Sequence, residues 1–471
     1  MANLIRFLYH HALALSLLVV LRARTQARVC QRRHDCGPHC RAWAGTGASA
    51  TAQWTIVATP HTLPIYINVP SALCDAEAPR WCSDRMRVFG ALRAVAPVWE
   101  TAMVNVGLIG LGKMGLSHLA IVNAHPEAKL IGICDTASYM CSILHKYTGI
   151  EVFSNYREML DRKSLDAVII ATPSRFHGEM VREALLRGLH VFCEKPFCLD
   201  PGEGTSLAEL ADQKGVVNQV GYHYRFVGAF NEAKRLVDAQ ALGRIHHLRV
   251  EAYGPVVLRP KGGTWRAKSS EGGGCLHDYA CHAIDIVNYL VGRPDAVSGT
   301  VLNKIFSRDV DDEVYATLHF ADGMTGMIAA NWSDDSLRRM STQVTLWGTN
   351  GRMVVDRQEV KTYVRGAAGC TGAAKEGWDI RHTTDFHSDV WYYLRGEEYS
   401  AQLDYFIRCI AEGRRENISS FASAVQTDCV VSAMLQDAGG AWRRVDAGAR
   451  TPAQSRTGEG GLLSLVTGAL R

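Results

Sequence analysis

From position 103 onward the chain alternates short apolar runs with amphipathic stretches of helical period. Apolar runs at 104–109, 129–134, 166–171, 190–193 and 216–221 predict strands. Segments running to about Ala124, starting near Ser138, and spanning 176–187 and 201–214 predict the helices between them. Strands joined by helix-length crossovers make a parallel, doubly wound sheet, and such sheets bind ligands at the carboxyl ends of their strands. Between 245 and 355 the period changes to two. Val314, Ala316, Leu318 and Phe320 share one strand face, and Tyr315, Thr317 and His319 share the other. Ala321-Asp322-Gly323 then turns the chain into a partner strand over 324–332, and Thr349-Asn350-Gly351 turns a second pair. A largely antiparallel sheet follows, with a helix over 276–291 packed on one face. Its other face carries Tyr, Trp and Met, the composition of a subunit interface. The stretch 366–384 reads as an insertion loop, and 397–409 and 423–436 read as closing helices.

Composition changes this picture mainly at the ends. The chain has 471 residues, of which 47% are hydrophobic, too many for a largely disordered protein. A net charge of +4 does not suggest nucleic acid as the partner, and no run approaches the roughly 20 apolar residues of a membrane span. Residues 1–102 contain eleven Arg, five acidic residues and no Lys, so 11 − 5 leaves +6 there and −2 for the remainder. Three readings of 1–102 compete. A secretory signal would use the apolar run after Arg6, cleaved near Ala27, but Arg22 and Arg24 directly follow that run. A metal-binding arm would use Cys30, Cys36, His39 and Cys40, which have no partner pair at finger spacing. The balance favours a disordered extension before Met103, and the Gly-, Ser- and Thr-rich tail 446–471 reads as disordered too. The nine cysteines after 103 have no framework spacing and fit a reducing compartment, with the cytoplasm as the default.

The first candidate chemistry is Gly110-Leu111-Gly112-Lys113-Met114-Gly115, between a predicted strand and a predicted helix. Gly110 permits the tight turn, Gly112 the approach of a pyrophosphate, and Gly115 close helix–strand packing, while the helix N-terminus offers free N–H groups. Gly110, Leu111, Gly112, Lys113 and Met114 are therefore candidate cofactor-binding residues. Asp135 ends the second strand 20 residues beyond Gly115, placed to accept ribose hydroxyls. Its charge repels a 2′-phosphate, and Thr136-Ala137-Ser138 supplies no cation, so NAD is favoured over NADP. This makes the first half, 103–222, an NAD-binding Rossmann domain. The region 223–445 becomes a C-terminal α/β domain with an open sheet for substrate and oligomerisation.

Four segments in order, Gly107 to Gly115, Ala171-Thr-Pro-Ser-Arg-Phe-His177, Glu194-Lys-Pro196 and Gly272-Gly-Gly-Cys-Leu-His-Asp-Tyr-Ala-Cys-His-Ala-Ile-Asp285, resemble the glucose–fructose oxidoreductase and inositol dehydrogenase family, Gfo/Idh/MocA. The resemblance implies NAD(P)-dependent oxidation or reduction of a sugar, cyclitol or related alcohol, in a homodimer or homotetramer. It adds Thr172, Pro173, His177, Glu194 and Lys195 to the cofactor-binding set and places Lys195 between nicotinamide ribose and substrate. An ammonium there favours the alkoxide that precedes hydride departure. Asp278 and His282, four apart on the predicted helix, share a face. On this reading His282 is the general acid/base. Asp278 fixes its tautomer and raises its pKa, or binds a substrate hydroxyl. The glycines 272–274 bring backbone close to the cofactor. Tyr224 and Arg225 approach the substrate, Arg225 as a partner for carboxylate or phosphate. Trp265 and Arg266 stack on a sugar face and bind its edge, which hints at an acidic sugar or a sugar nucleotide. A zinc site built from Cys275, His277, Asp278, Cys281 and His282 is disfavoured, because neighbours on a helix diverge by about 100°. No metal is expected.

Three functions follow from these residues. The first is an NAD(P)-dependent dehydrogenase acting on a secondary alcohol of a sugar, sugar derivative or cyclitol. The second is NAD-assisted glycoside cleavage through transient oxidation, and the third is a non-catalytic regulator that binds NAD and a sugar. A pure sensor needs neither Lys195 nor His282, which favours the enzyme readings.

Overall fold

The computed structural model describes residues 103–162, 164–256, 265–366, 374–386, 390–394 and 396–440. The extension 1–102 with its signal and metal-arm readings, Cys370 and the tail 446–471 lie outside the described residues.

Six strands form the first sheet: β1 (Val104–Ile109), β2 (Ala128–Cys134), β3 (Glu151–Phe153), β4 (Ala167–Ile170), β5 (His190–Cys193) and β6 (Asn218–Val220). Their order is β3-β2-β1-β4-β5-β6, with every pair parallel. The order reverses between β1 and β4, so the crevice outside their carboxyl ends is the topological switch point where such sheets bind ligands. Helices α1 (Lys113–Ala124), α2 (Ser138–Thr148), α3 (Tyr156–Leu160), α4 (His177–Leu186) and α5 (Pro201–Lys214) supply the crossovers. Helix α5 shows the local logic. The Asp200 side chain accepts the Gly202 N–H, Pro201 takes the first position, and Gly215 at φ +67° ends the helix.

Past α6 (Gly228–Asp238), eight strands form the second sheet: β7 (Ile245–Tyr253), β8 (Ala296–Asn303), β9 (Glu313–His319), β10 (Thr325–Asn331), β11 (Ser341–Gly348), β12 (Gly351–Val355), β13 (Glu359–Val364) and β14 (Gly377–His382). The order is β14-β13-β12-β11-β7-β10-β9-β8, antiparallel except for β7 with β10. Register places Ala316, Ile328, Val250, Val344, Val355 and Val360 side by side in one buried row. Helix α7 (Cys281–Val291) packs against this face. On the opposite face His247, Trp347, Arg352, Tyr363 and Trp378 are cross-strand neighbours across five strands. Arg352 lies over the Trp347 ring, and Tyr363 and Trp378 touch with centroids 5.3 Å apart.

The closing helices return to both layers. Leu403, Phe406 and Ile407 of α8 (Glu397–Ala411) join the core of Val104, Val106 and Leu108, while α9 (Phe421–Ala438) packs on α5 and β8. One apolar cluster runs from Val168 and Val191 through Tyr222 and Ile284 to Val250 and Ile328, so the two sheets share a core.

Two expectations need correction. The stretch 366–384 contains a strand, β14, not only loop. Trp378, Ile380 and His382 all face outward on this edge strand, so the sequence shows no buried face to betray it. The helix expected over 276–291 begins instead with a π-turn, Leu276–Ala280, before α7.

Candidate active site

The glycine turn is built as its spacing requires. A Cβ on Gly110, at φ +98°, would stand 2.6 Å from the Ala171 carbonyl oxygen, and one on Gly115 would stand 1.8 Å from that of Gly110. At Gly112 a Cβ would meet nothing within 4 Å, which leaves backbone open to the crevice. Gly112 caps α1 with no side-chain hydrogen bond, so Lys113 and Met114 open a helix whose first N–H groups suit an anion. Asp135 stands at the lip of the turn, its Oδ2 accepting the Leu111 N–H at 2.5 Å and its Oδ1 the Ala137 N–H at 2.7 Å. An open glycine, an uncapped helix start and a carboxylate at the second strand's end fit a dinucleotide without a 2′-phosphate.

At the ends of β4 and β5 the expected residues divide between surface and support. Thr172 and Pro173 are half-buried at the rim. His177 lies wholly beneath them, with Nδ1 2.9 Å from the Pro196 carbonyl and Nε2 3.0 Å from that of Thr172, so it ties the two turns together. Burial lowers its pKa. Glu194 also faces inward: its Oε1 is 2.7 Å from Nε2 of His118 on α1. Burial would raise the Glu194 pKa, but His118 and Lys195 reverse that and the net shift is downward. His118 links the glycine-turn helix to the lysine turn. Its only sequence signal is a histidine on the inner face of an apolar helix.

Lys195 reaches across to the second half of the molecule. Its Nζ donates to Asp278 Oδ1 at 2.9 Å and to the Asp278 carbonyl at 2.7 Å, and Arg266 Nε donates to Asp278 Oδ2 at 2.8 Å. Burial disfavours the charges of Lys195 and Asp278, yet the pairing wins: Lys195 is shifted upward and Asp278 down to about 2. The carboxylate thus serves Lys195 and Arg266 rather than His282, which corrects the expected Asp278–His282 couple. In the π-turn the Cys281 N–H bonds back to Leu276 five residues away, so the four-residue stacking of an α-helix does not carry across it. Two cations then claim both oxygens of Asp278.

His282 is 4% exposed, and among the described residues its Nδ1 has no hydrogen-bond partner. Rings surround it instead, with centroids at 4.8 Å for His223, 5.5 Å for Tyr224 and 6.0 Å for Tyr222. Tyr399 stacks behind His223. Burial first, then the charges of Lys195 and His223, hold the His282 pKa well below its ordinary value, the opposite of the rise expected. The imidazole is neutral at physiological pH.

The remaining expected residues also sort themselves. Tyr224 edges His282, but its hydroxyl accepts from Thr342 Oγ1 at 3.1 Å in the interior. Arg225 is turned away from solvent: Nε and Nη2 clamp Asp285 at 2.9 and 2.6 Å, and Nη1 bonds Ser423 and the Ile418 carbonyl. The structure therefore does not bring Arg225 forward as a substrate cation. Trp265 lies under the Arg266 guanidinium at 4.7 Å, and both are partly open to solvent. The three glycines admit protein rather than ligand. A Cβ on Gly273 would hit the Arg266 carbonyl at 2.3 Å, and one on Gly274 the Asp311 carboxylate at 2.4 Å. Cys193, Cys275 and Cys281 are free and buried, and burial pushes each thiol up, Cys281 to about 12. Among the described residues no group of three or more His, Cys, Asp or Glu is placed to hold a metal, and no helix is long and apolar enough to cross a membrane.

Known proteins share this plan. Residues 104–222 match the model of an oxidoreductase family with an NAD-binding Rossmann fold, and 230–354 match the GFO/IDH/MocA C-terminal domain. Scyllo-inositol 2-dehydrogenase (NAD(+)) of Bacillus subtilis is 27% identical over 70% of this chain and 93% of its own length. Levoglucosan dehydrogenase of Pseudarthrobacter phenanthrenivorans is 28% identical over 71% and 96%. A solved levoglucosan dehydrogenase in complex with NADH superposes with a TM-score of 0.64 at 27% identity, covering 71% of this chain and 96% of that one.

Proposed function

The chain belongs to the GFO/IDH/MocA family of oxidoreductases, and we propose that it is an NAD-dependent dehydrogenase that oxidises or forms a secondary alcohol on a sugar, sugar derivative or cyclitol. Relatives named for scyllo-inositol and levoglucosan support that substrate range. Bound NAD supplies the nicotinamide ring that exchanges hydride with the substrate carbon. Gly110, Leu111, Gly112, Lys113 and Met114 receive its phosphates, Asp135 its ribose hydroxyls, and Thr172 and Pro173 line its path toward Lys195. The Lys195 ammonium faces the reacting hydroxyl and stabilises the developing alkoxide. His282, neutral when substrate arrives, takes the hydroxyl proton. Asp278 keeps Lys195 charged, and Trp265 and Arg266 flank the sugar.

One observation carries this reading: a charged amine fixed at the end of β5 by a carboxylate from the other half of the molecule, with a neutral imidazole four residues along from that carboxylate. The row of His247, Trp347, Arg352, Tyr363 and Trp378 on the open sheet face supports a homodimer or homotetramer. The buried, unpaired cysteines support a cytoplasmic enzyme.

The test is a screen of sugars, sugar acids, nucleotide sugars and inositols with NAD, read as NADH formation. Stoichiometric NADH from at least one class is expected. Glycoside cleavage with no net NADH would replace the reading with transient oxidation, and silence across the panel would overturn it.

A further inference from the structure

Resting on the dehydrogenase reading for its consequence in catalysis, we propose that Asp311 is a positioning residue. It fixes where the π-turn starts, and thereby sets Asp278 and His282 against Lys195. Asp311 lies outside the family-like motifs and stands two positions before β9. Its carbonyl accepts the Cys275 N–H at 2.8 Å, and its Oδ2 accepts the Leu276 N–H at 2.6 Å. These are N–H groups at a helix start, where no carbonyl of the helix itself can serve them. Gly274 makes the fit possible. At φ +109°, with Asp311 Oδ1 only 2.4 Å from where a Cβ would sit, no side chain can stand there. The Gly274 carbonyl in turn accepts the Asp278 N–H at 3.0 Å, so the line from Asp311 to Asp278 is two contacts long.

The anchor itself is rigid. Next to it, Asp312 Oδ2 accepts the N–H groups of Ile305, Phe306 and Ser307 at 2.7, 2.7 and 2.8 Å, and Oδ1 accepts Nε1 of the fully buried Trp332 at 2.7 Å. Asp312 also exchanges backbone bonds with Asn303 and Trp332, which pins the pair between β8 and β10. The charged and titratable groups facing Asp311 are Asp312, Lys304 and Cys275. No cation pairs with the Asp311 carboxylate among the described residues. Burial, with Asp312 adding to it, pushes its pKa up to about 6. With no cation paired to it among the described residues, the carboxylate acts on the π-turn through the Leu276 N–H that Oδ2 accepts, and an amide oxygen of the same shape can accept that bond in its place.

The experiment compares the full chain with Asp311→Asn, Asp311→Ala and Gly274→Ala. Two readouts are used: steady-state kinetics, and mass-spectrometric labelling of the Lys195 amine by acetic anhydride, which needs no turnover. Asp311→Asn should stay within about threefold of wild type in kcat. Asp311→Ala and Gly274→Ala should lose about thirtyfold in kcat with KM for NAD unchanged, since small misplacements cost that much. Lys195 labelling should rise at least about threefold in the Ala variants alone, because a loosened Asp278 lowers the lysine pKa. Unchanged labelling in both Ala variants overturns the proposal, as does a kcat loss matched by lost NAD binding, which marks a residue that merely holds the fold. Silence of the wild type toward every sugar would defeat the dehydrogenase reading while the labelling still decides this one.

Discussion

Lys195 and His282 belong to one site but are held by opposite means. The lysine turn is braced by polar contacts on every side: His118 to Glu194 at 2.7 Å, His177 bridging two carbonyls, and Asp278 on the ammonium itself. The histidine has no hydrogen-bond partner on Nδ1 among the described residues and is enclosed by Tyr222, His223 and Tyr224. One environment stabilises a charge and the other suppresses it, although His282 is buried and the Lys195 side chain is only 14% exposed. The difference suits the two tasks proposed for them. A group that steadies an alkoxide must stay charged, and a group that takes a proton must be neutral beforehand.

The hardest blow to this contrast is Lys195→Ala, expected to cut kcat about a thousandfold with NAD affinity, read by fluorescence titration, nearly unchanged. Turnover surviving in that variant would remove the charged side of the comparison. Next, His282→Asn should cost about a hundredfold in kcat. With its pKa held well below 6.5 in wild type, alcohol oxidation should stay level as pH falls through neutrality and decline only below that value. An acid limb at or above 6.5 that vanishes in His282→Asn would show that the rings do not suppress the charge. The smallest effect is on stability. Asp278 is depressed from 3.8 to about 2, so its stabilising contribution is complete above the unfolded value and lost as pH falls through the folded one. That contribution is about 2 kcal/mol, seen as a thermal midpoint that drops more steeply in acid for wild type than for Asp278→Asn.

Much of the parallel half was legible because its signals are local. A glycine turn, a strand-end carboxylate and a lysine before proline announce themselves within a few residues, and β1, β2, β4 and β5 follow their apolar runs. The three-residue β3 and five-residue α3 are too short for periodicity to reveal. The second half hides more. The pattern over 276–291 reads as one continuous helix, so nothing in it marks the change from π-turn to α-helix. Arg225 reads as a substrate cation until Asp285, 60 residues on, is found beneath it. His118 and Asp311 act through partners 76 and 35 residues away, and no spacing rule spans such gaps.

The sealed thiols beside the site matter for what the reaction leaves behind. A ring hydroxyl that loses hydride and proton becomes a ketone, an electrophile that thiolates capture. Cys281 is next to His282 in sequence, and Cys193 immediately precedes Glu194. Kept protonated and fully covered, neither sulfur is available to form a hemithioketal with a ketone product.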